Sequence, residues 1–102
     1  MLAKKRFAEA AMALGDPTRV SIVRALAYGM KSVSDMCRML NVEMVNLSHH
    51  LAVMRNAGVV VSQKAGRHHM YSLVEEWVIT ATTVTLTVSD GSLSILRTLE
   101  GR

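Results

Sequence analysis

Ser32-Val33-Ser34-Asp35-Met36-Cys37-Arg38-Met39-Leu40-Asn41-Val42-Glu43-Met44-Val45-Asn46-Leu47-Ser48-His49-His50-Leu51 is the run that decides how this chain folds. The Ser32 hydroxyl can accept from the unpaired amides at a helix start, with Asp35 in the first turn. Val33, Met36 and Leu40 then recur at helical spacing and make one apolar stripe. Asn41 tolerates the left-handed backbone that ends such a helix, and Val42 occupies the turn. A second helix follows almost at once, from about Glu43 to Ala57, closed by Gly58.

On that second helix Leu47, His50, Leu51 and Met54 fall on one side and should pack inward, while Met44, Val45, Ser48, His49 and Ala52 face outward. Small, polar and apolar groups without long acidic chains suit a DNA major groove, where they meet base edges and thymine methyls. The same pattern also serves an ordinary amphipathic helix in a small bundle. The sequel tips the balance. Val59 to Lys64 and His68 to Leu73 are β-prone runs around Ala65-Gly66-Arg67, which reads as a hairpin. Its tip carries Lys64 and Arg67, placed to touch phosphates beside a groove that the helix occupies. Two close helices and a basic hairpin make a winged helix-turn-helix.

Upstream, residues from about Lys4 to Leu14 form an alanine-rich helix with Leu2, Phe7, Ala10, Ala11 and Leu14 available to one face. Asp16 caps the next helix and Pro17 takes its first turn, where a missing amide costs nothing. Val20, Ile22, Val23, Leu26 and Ala27 supply its buried face, and Gly29 ends it. Downstream, residues 78 to 88 are crowded with β-branched side chains. Val78, Val84, Leu86 and Val88 share one face of a strand, whereas Trp77, Ala81, Val84 and Val88 share one face of a helix. Periodicity leaves both open.

With 102 residues, half of them hydrophobic, the chain reads as one small domain, of a size that often completes its core by dimerising. Residues 1 to 73 hold ten Lys and Arg against four acids, a net +6, while residues 74 to 102 hold two against four, a net −2. The basic part coincides with the helix-turn-helix and hairpin, as an acidic partner requires. One cysteine permits no intrachain disulfide, and Lys4, Lys5 and Arg6 precede no apolar run fit for a signal peptide or membrane span. A cytoplasmic protein without a membrane partner is expected. No nucleophile, base and oxyanion donor set appears at useful spacing, which argues against an enzyme.

Leu14-Gly15-Asp16-Pro17-Thr18-Arg19, Leu47-Ser48-His49-His50-Leu51, Arg55-Asn56-Ala57-Gly58-Val59 and Gly66-Arg67 through Tyr71-Ser72-Leu73 together resemble the ArsR/SmtB family of bacterial repressors. The resemblance runs from about residue 10 to residue 75. It implies a mainly α, dimeric winged helix-turn-helix that blocks a promoter until a metal ion or redox signal weakens DNA binding. It further implies a DNA-binding core over residues 16–73, dimerisation helices over 1–15 and 74–102, and a homodimer on an inverted-repeat operator. Under it residues 78–88 become a long dimer helix, broken by Ser89-Asp90-Gly91 before a last helical piece around Leu93 to Leu99. Base or groove contacts then fall to Met44, Val45, Ser48 and His49, and backbone contacts to Lys64 and Arg67. Small polar residues or glutamine are usual in the family where this chain has Met44 and Val45, a change that favours thymine methyls over hydrogen bonding.

The family's sensing chemistry is poorly represented. Its three-thiol site falls on Ser32, Ser34 and Cys37, where one soft ligand remains. Its dimer-helix site needs His with Asp or Glu, and residues 78 to 88 contain neither. No metal or other cofactor is expected, and the inducer is not written in the sequence. Cys37 remains a candidate redox thiol, giving a thiol-responsive repressor as one alternative, although a half-buried cysteine is more often inert packing. A winged-helix module that binds protein through Met44 and Val45 is the other. His50 reads as a satisfied structural histidine, and the scattered methionines as pliable core filling.

Overall fold

The computed structural model describes residues 2–98, with side chains from Arg6 to Thr98. Four helices lead: α1 (Leu2–Ala13), α2 (Pro17–Leu26), α3 (Val33–Leu40) and α4 (Met44–Asn56), with a two-residue strand β1 (Lys31–Ser32) before α3. Their ends are set by local chemistry. Asp16 is extended at φ −136°, its carboxylate accepts from the Arg19 amide at 3.1 Å, and Pro17 follows at the first helical position. Ser32 caps α3 by accepting from the Asp35 amide at 3.1 Å, and Asn41 closes it in the left-handed region at φ 54°. Gly58, at φ 76°, turns the chain out of α4 into the wing.

The wing is the hairpin of β2 (Val60–Ala65) and β3 (His68–Leu73), antiparallel with Val60 opposite Leu73 and Ala65 opposite His68, closed through Gly66 at φ 64°. β1 pairs with the other edge of β3, Lys31 opposite Tyr71 and Ser32 opposite Met70. This sheet, in order β1-β3-β2, fixes the wing to the start of α3. A two-residue strand carries no alternation for a sequence pattern to detect.

The C-terminal part departs from expectation. Among the described residues from 74 to 98 there is no dimerisation helix: the chain forms β4 (Trp77–Ile79), β5 (Thr83–Val88) and β6 (Gly91–Leu96), a second antiparallel sheet in the order β4-β5-β6. The mainly α description is corrected with it, since the described residues hold six strands beside the four helices. Leu93 to Leu96, expected in a last helical piece, lie in β6, while Leu99 and the Leu2 side chain fall outside the described residues. The physical reason is the β-branched run itself, whose crowded rotamers favour a pleated surface. Its turn is built by hydroxyls: the Thr80 Oγ1 accepts from the amides of Thr82 at 3.3 Å and Thr83 at 3.0 Å. That reversal puts Val78 opposite Thr85 on the outer face, away from Val84 and Leu86, with which a single unbroken strand would have grouped it.

Both sheets meet one core. Ile22, Met36, Leu47, Leu51 and Met54 are completely buried, and Trp77, Val84 and Leu86 extend the same cluster into the second sheet. The Trp77 indole N–H donates to the Val59 carbonyl at 2.9 Å, joining β4 to the segment that leaves α4. Around the rim, the Phe7 amide donates to Asp90 at 3.2 Å and Arg24 Nε to the Leu96 carbonyl at 2.8 Å. A Cβ on Gly91 would lie 2.7 Å from the Phe7 ring, so α1 packs against β6 as closely as glycine permits.

Trp77→Phe should cost about 1–3 kcal/mol, combining a lost buried hydrogen bond with a partly filled cavity. Urea denaturation followed by far-UV circular dichroism measures this. An unchanged midpoint would mean that the second sheet is not part of the cooperative core.

Candidate nucleic-acid interface

Helix α4 has two unlike sides. Leu47, Leu51 and Met54 are fully buried, whereas Met44 is 52% and Val45 80% exposed, with Ser48 and His49 also open to solvent. Ala52, expected outward, is only half-exposed, and Asn46 is exposed beside Val45. The wing rises next to the exposed side, and its Lys64 and Arg67 are exposed as well.

Between α4, the start of α3 and the wing lies an open cleft of about 420 Å³. Of the residues singled out from sequence, Met44, Ser48 and Arg67 line it together, while Val45, His49 and Lys64 stand outside it. Arg55 lines it too and was missed. Its guanidinium Nη1 donates to the Tyr71 hydroxyl at 3.1 Å, which ties the last turn of α4 to β3. The signal was available in the spacing: Met44, Ser48 and Arg55 recur at four and seven residues and so share one helical face. His68 and His69 complete the wing side of the cleft, and no carboxylate is among the described residues that line it.

A polar junction steadies α4 from behind. Arg19 Nη1 lies 3.0 Å from His50 Nδ1, so the imidazole nitrogen accepts and the ring proton sits on Nε2. Arg19 Nε also donates to the Ala13 carbonyl, and Asp16 Oδ2 lies 3.9 Å from His50 Nδ1. The end of α1, the cap of α2 and the middle of α4 are therefore joined through one arginine. The hydrogen bond from the Arg19 amide holds the Asp16 carboxyl below its ordinary value against the opposing effect of burial, and the positive charge of the Arg19 side chain adds to the lowering.

The sensing candidates are scattered in role. The Ser32 hydroxyl is occupied as the α3 cap, Ser34 is exposed, and Cys37 is half-buried against the core. Arg38 pairs with Asp35 rather than with the thiol. One soft donor among these three does not fit a thiolate metal site, and nowhere among the described residues do three His, Cys, Asp or Glu side chains converge. No described helix is long and apolar enough to cross a membrane.

The sequence matches the family described as "Bacterial regulatory protein, arsR family" over residues 16–62, which span α2, α3, α4 and the first residues of the wing. It is 37% identical over 76 residues to the HTH-type transcriptional regulator NmtR of Mycobacterium tuberculosis, an alignment covering 74% of this chain and 63% of NmtR. The HTH-type transcriptional regulator MJ1325 of Methanocaldococcus jannaschii is 35% identical over 75 residues, covering 72% of this chain and 84% of MJ1325. Among solved structures, the homodimeric winged helix-turn-helix DNA-binding domain of Mb0332 from Mycobacterium bovis superposes with a TM-score of 0.68 at 22% identity, covering 71% of this chain and 67% of that one. The last comparison speaks for the fold alone.

Asp16 should confer an acid-side dependence of stability. Because its folded-state pKa lies below the ordinary 3.8, its contribution is present above that value and is lost as pH falls through the lowered one. Asp16→Asn keeps a capping oxygen and removes the titration. Wild type should therefore have the higher urea midpoint at neutral pH, and the gap between the two proteins should close below about pH 4 as the carboxylate is protonated. Parallel decline in both would show that Asp16 is not held by these partners.

Proposed function

Since the chain belongs to the arsR family of bacterial regulatory proteins, we propose that it is a DNA-binding transcriptional repressor that acts as a homodimer on an inverted-repeat operator in the cytoplasm. The observation that carries this reading is the pairing of an exposed, acid-free face of α4 with a basic wing beside it. A helix of this kind can lie in the major groove while the wing reaches the flanking phosphates. Met44 and Val45 then meet thymine methyls, Ser48 and His49 approach base edges, and Lys64 and Arg67 neutralise backbone charge. Asn46, exposed beside them, is a further candidate for adenine edges.

Two copies would bring two such helices to successive major grooves on one side of the duplex. The Mb0332 domain, which shares the fold, is homodimeric. In this chain α1 and the sheet β4-β5-β6 would take the place of paired terminal helices. Control by the family's metal positions is not proposed, because the donors at Ser32, Ser34 and Cys37 do not make a site. Cys37 is assigned to packing.

The exposed Met44 and Val45 also suit a protein partner, and salt separates the readings. Fluorescence anisotropy on a duplex from the upstream region of the chain's own gene should show affinity falling steeply with salt. Lys64→Ala and Arg67→Ala should each weaken binding and lower the magnitude of the logarithmic salt slope by about 1. No binding to duplex DNA at low salt, with salt-insensitive capture of a protein, would replace the repressor reading by the interaction module.

A further inference from the structure

We propose that the cleft between α4 and the wing is a phosphate-binding notch in which Arg55, set in place by Tyr71, is the principal ligand. The inference deepens the DNA-binding reading by adding Arg55, at the last turn of α4, to the contacts assigned to the first turns of that helix and to the wing tip. It rests on that reading only for the source of the phosphate.

Three observations converge. First, the cleft carries cationic and polar groups beside the apolar Val33 and Met44: Arg55 and Arg67 line it from α4 and from the wing, and Ser34 and Ser48 add hydroxyl donors. No Asp or Glu is among the described lining residues, so an anion meets no opposing carboxylate there. Second, Arg55 is oriented before any ligand arrives. Its Nη1 donates to the Tyr71 hydroxyl at 3.1 Å, which leaves the other donors of the planar fork for an oxyanion. Holding one edge of a long side chain lowers the ordering cost of the next bond. Third, Tyr71 is only 7% exposed and lines the cleft, and its own hydroxyl proton has no acceptor among the described residues. A phenol so placed accepts from arginine and donates to a phosphate oxygen at the same time.

Size and setting point to a phosphodiester rather than a bare ion. The cleft is far larger than one phosphate group and opens on the side where Met44 and Ser48 face solvent. A sugar-phosphate segment passing from α4 to the wing would fill it, with Arg55 and Arg67 on its phosphate. Free phosphate or a small phosphorylated metabolite offers the same chemistry, so the test must separate the sources. Arg55 is exposed, which makes its replacement tolerable to the fold.

The experiment has two arms on the full chain, comparing wild type, Arg55→Gln and Arg55→Lys, with equal melting temperatures as the check on folding. In the first arm inorganic phosphate is titrated at constant ionic strength against chloride, with amide NMR shifts read at Ser34, Ser48 and His69. Saturable shifts in wild type, absent in Arg55→Gln, are expected. In the second arm duplex affinity is measured against salt. Arg55→Gln should weaken binding about 10-fold and reduce the slope by about 1, whereas Arg55→Lys should restore the slope but only part of the affinity.

Saturable phosphate shifts with the altered slope assign the notch to the DNA backbone. The same shifts with an unaltered slope assign it to a free phosphate. An unaltered slope with no phosphate response beyond chloride overturns the proposal. If wild type binds no duplex at all, the repressor reading fails, and the phosphate titration alone decides whether the notch exists.

Discussion

Burying Leu47, Leu51 and Met54 on one side of α4 constrains everything around it. Three fully buried side chains on consecutive turns fix the rotation of the helix about its axis, because a turn in either direction would bring apolar groups into water. Each such side chain is worth roughly 1.5–3 kcal/mol when buried. With the rotation fixed, Met44, Val45, Ser48 and His49 face outward by geometry. The junction of Asp16, Arg19 and His50 adds direction to this packing, since a hydrogen-bonded arginine tolerates less sliding than an apolar contact.

The wing depends on the same constraint. It leaves α4 through Gly58, is pinned by the Trp77 indole at Val59, and is held to the start of α3 by pairing of β1 with β3. Arg55 then crosses from helix to hairpin onto Tyr71. The cleft is thus walled by elements fixed independently at several points. Such preorganisation is what a surface needs if it is to bind a stiff, regular partner without first ordering itself.

From Asp16 to Leu73 the helices and the hairpin were legible, because each carries its own local signal, whereas the two-residue β1 carries none. Asp16-Pro17, Ser32 with Asp35, Asn41, Gly58 and Gly66 mark boundaries by capping and backbone conformation, and the structure uses them in those roles. The site was legible in part. Outward residues of α4, Arg55 among them, follow from helical spacing, but the tie from Arg55 to Tyr71 exists only after the hairpin folds back. The C-terminal part was misread for a different reason. Residues 78–88 fit both periods, and the helix assigned by family resemblance lay beyond the motifs that carried the resemblance. Local β-propensity, the Thr80–Thr83 turn and the buried Trp77, Val84 and Leu86 together gave a sheet.

The central claim is that α4 lies in a major groove while the wing grips the adjoining backbone. Dimethyl sulfate protection of guanine N7, which lines the major groove, tests it most directly on the upstream duplex. The account predicts two protected patches on one side of the DNA, about one helical turn apart, that vanish when Ser48 is replaced by a bulky acidic residue. Tight binding with every major-groove guanine left reactive would contradict it.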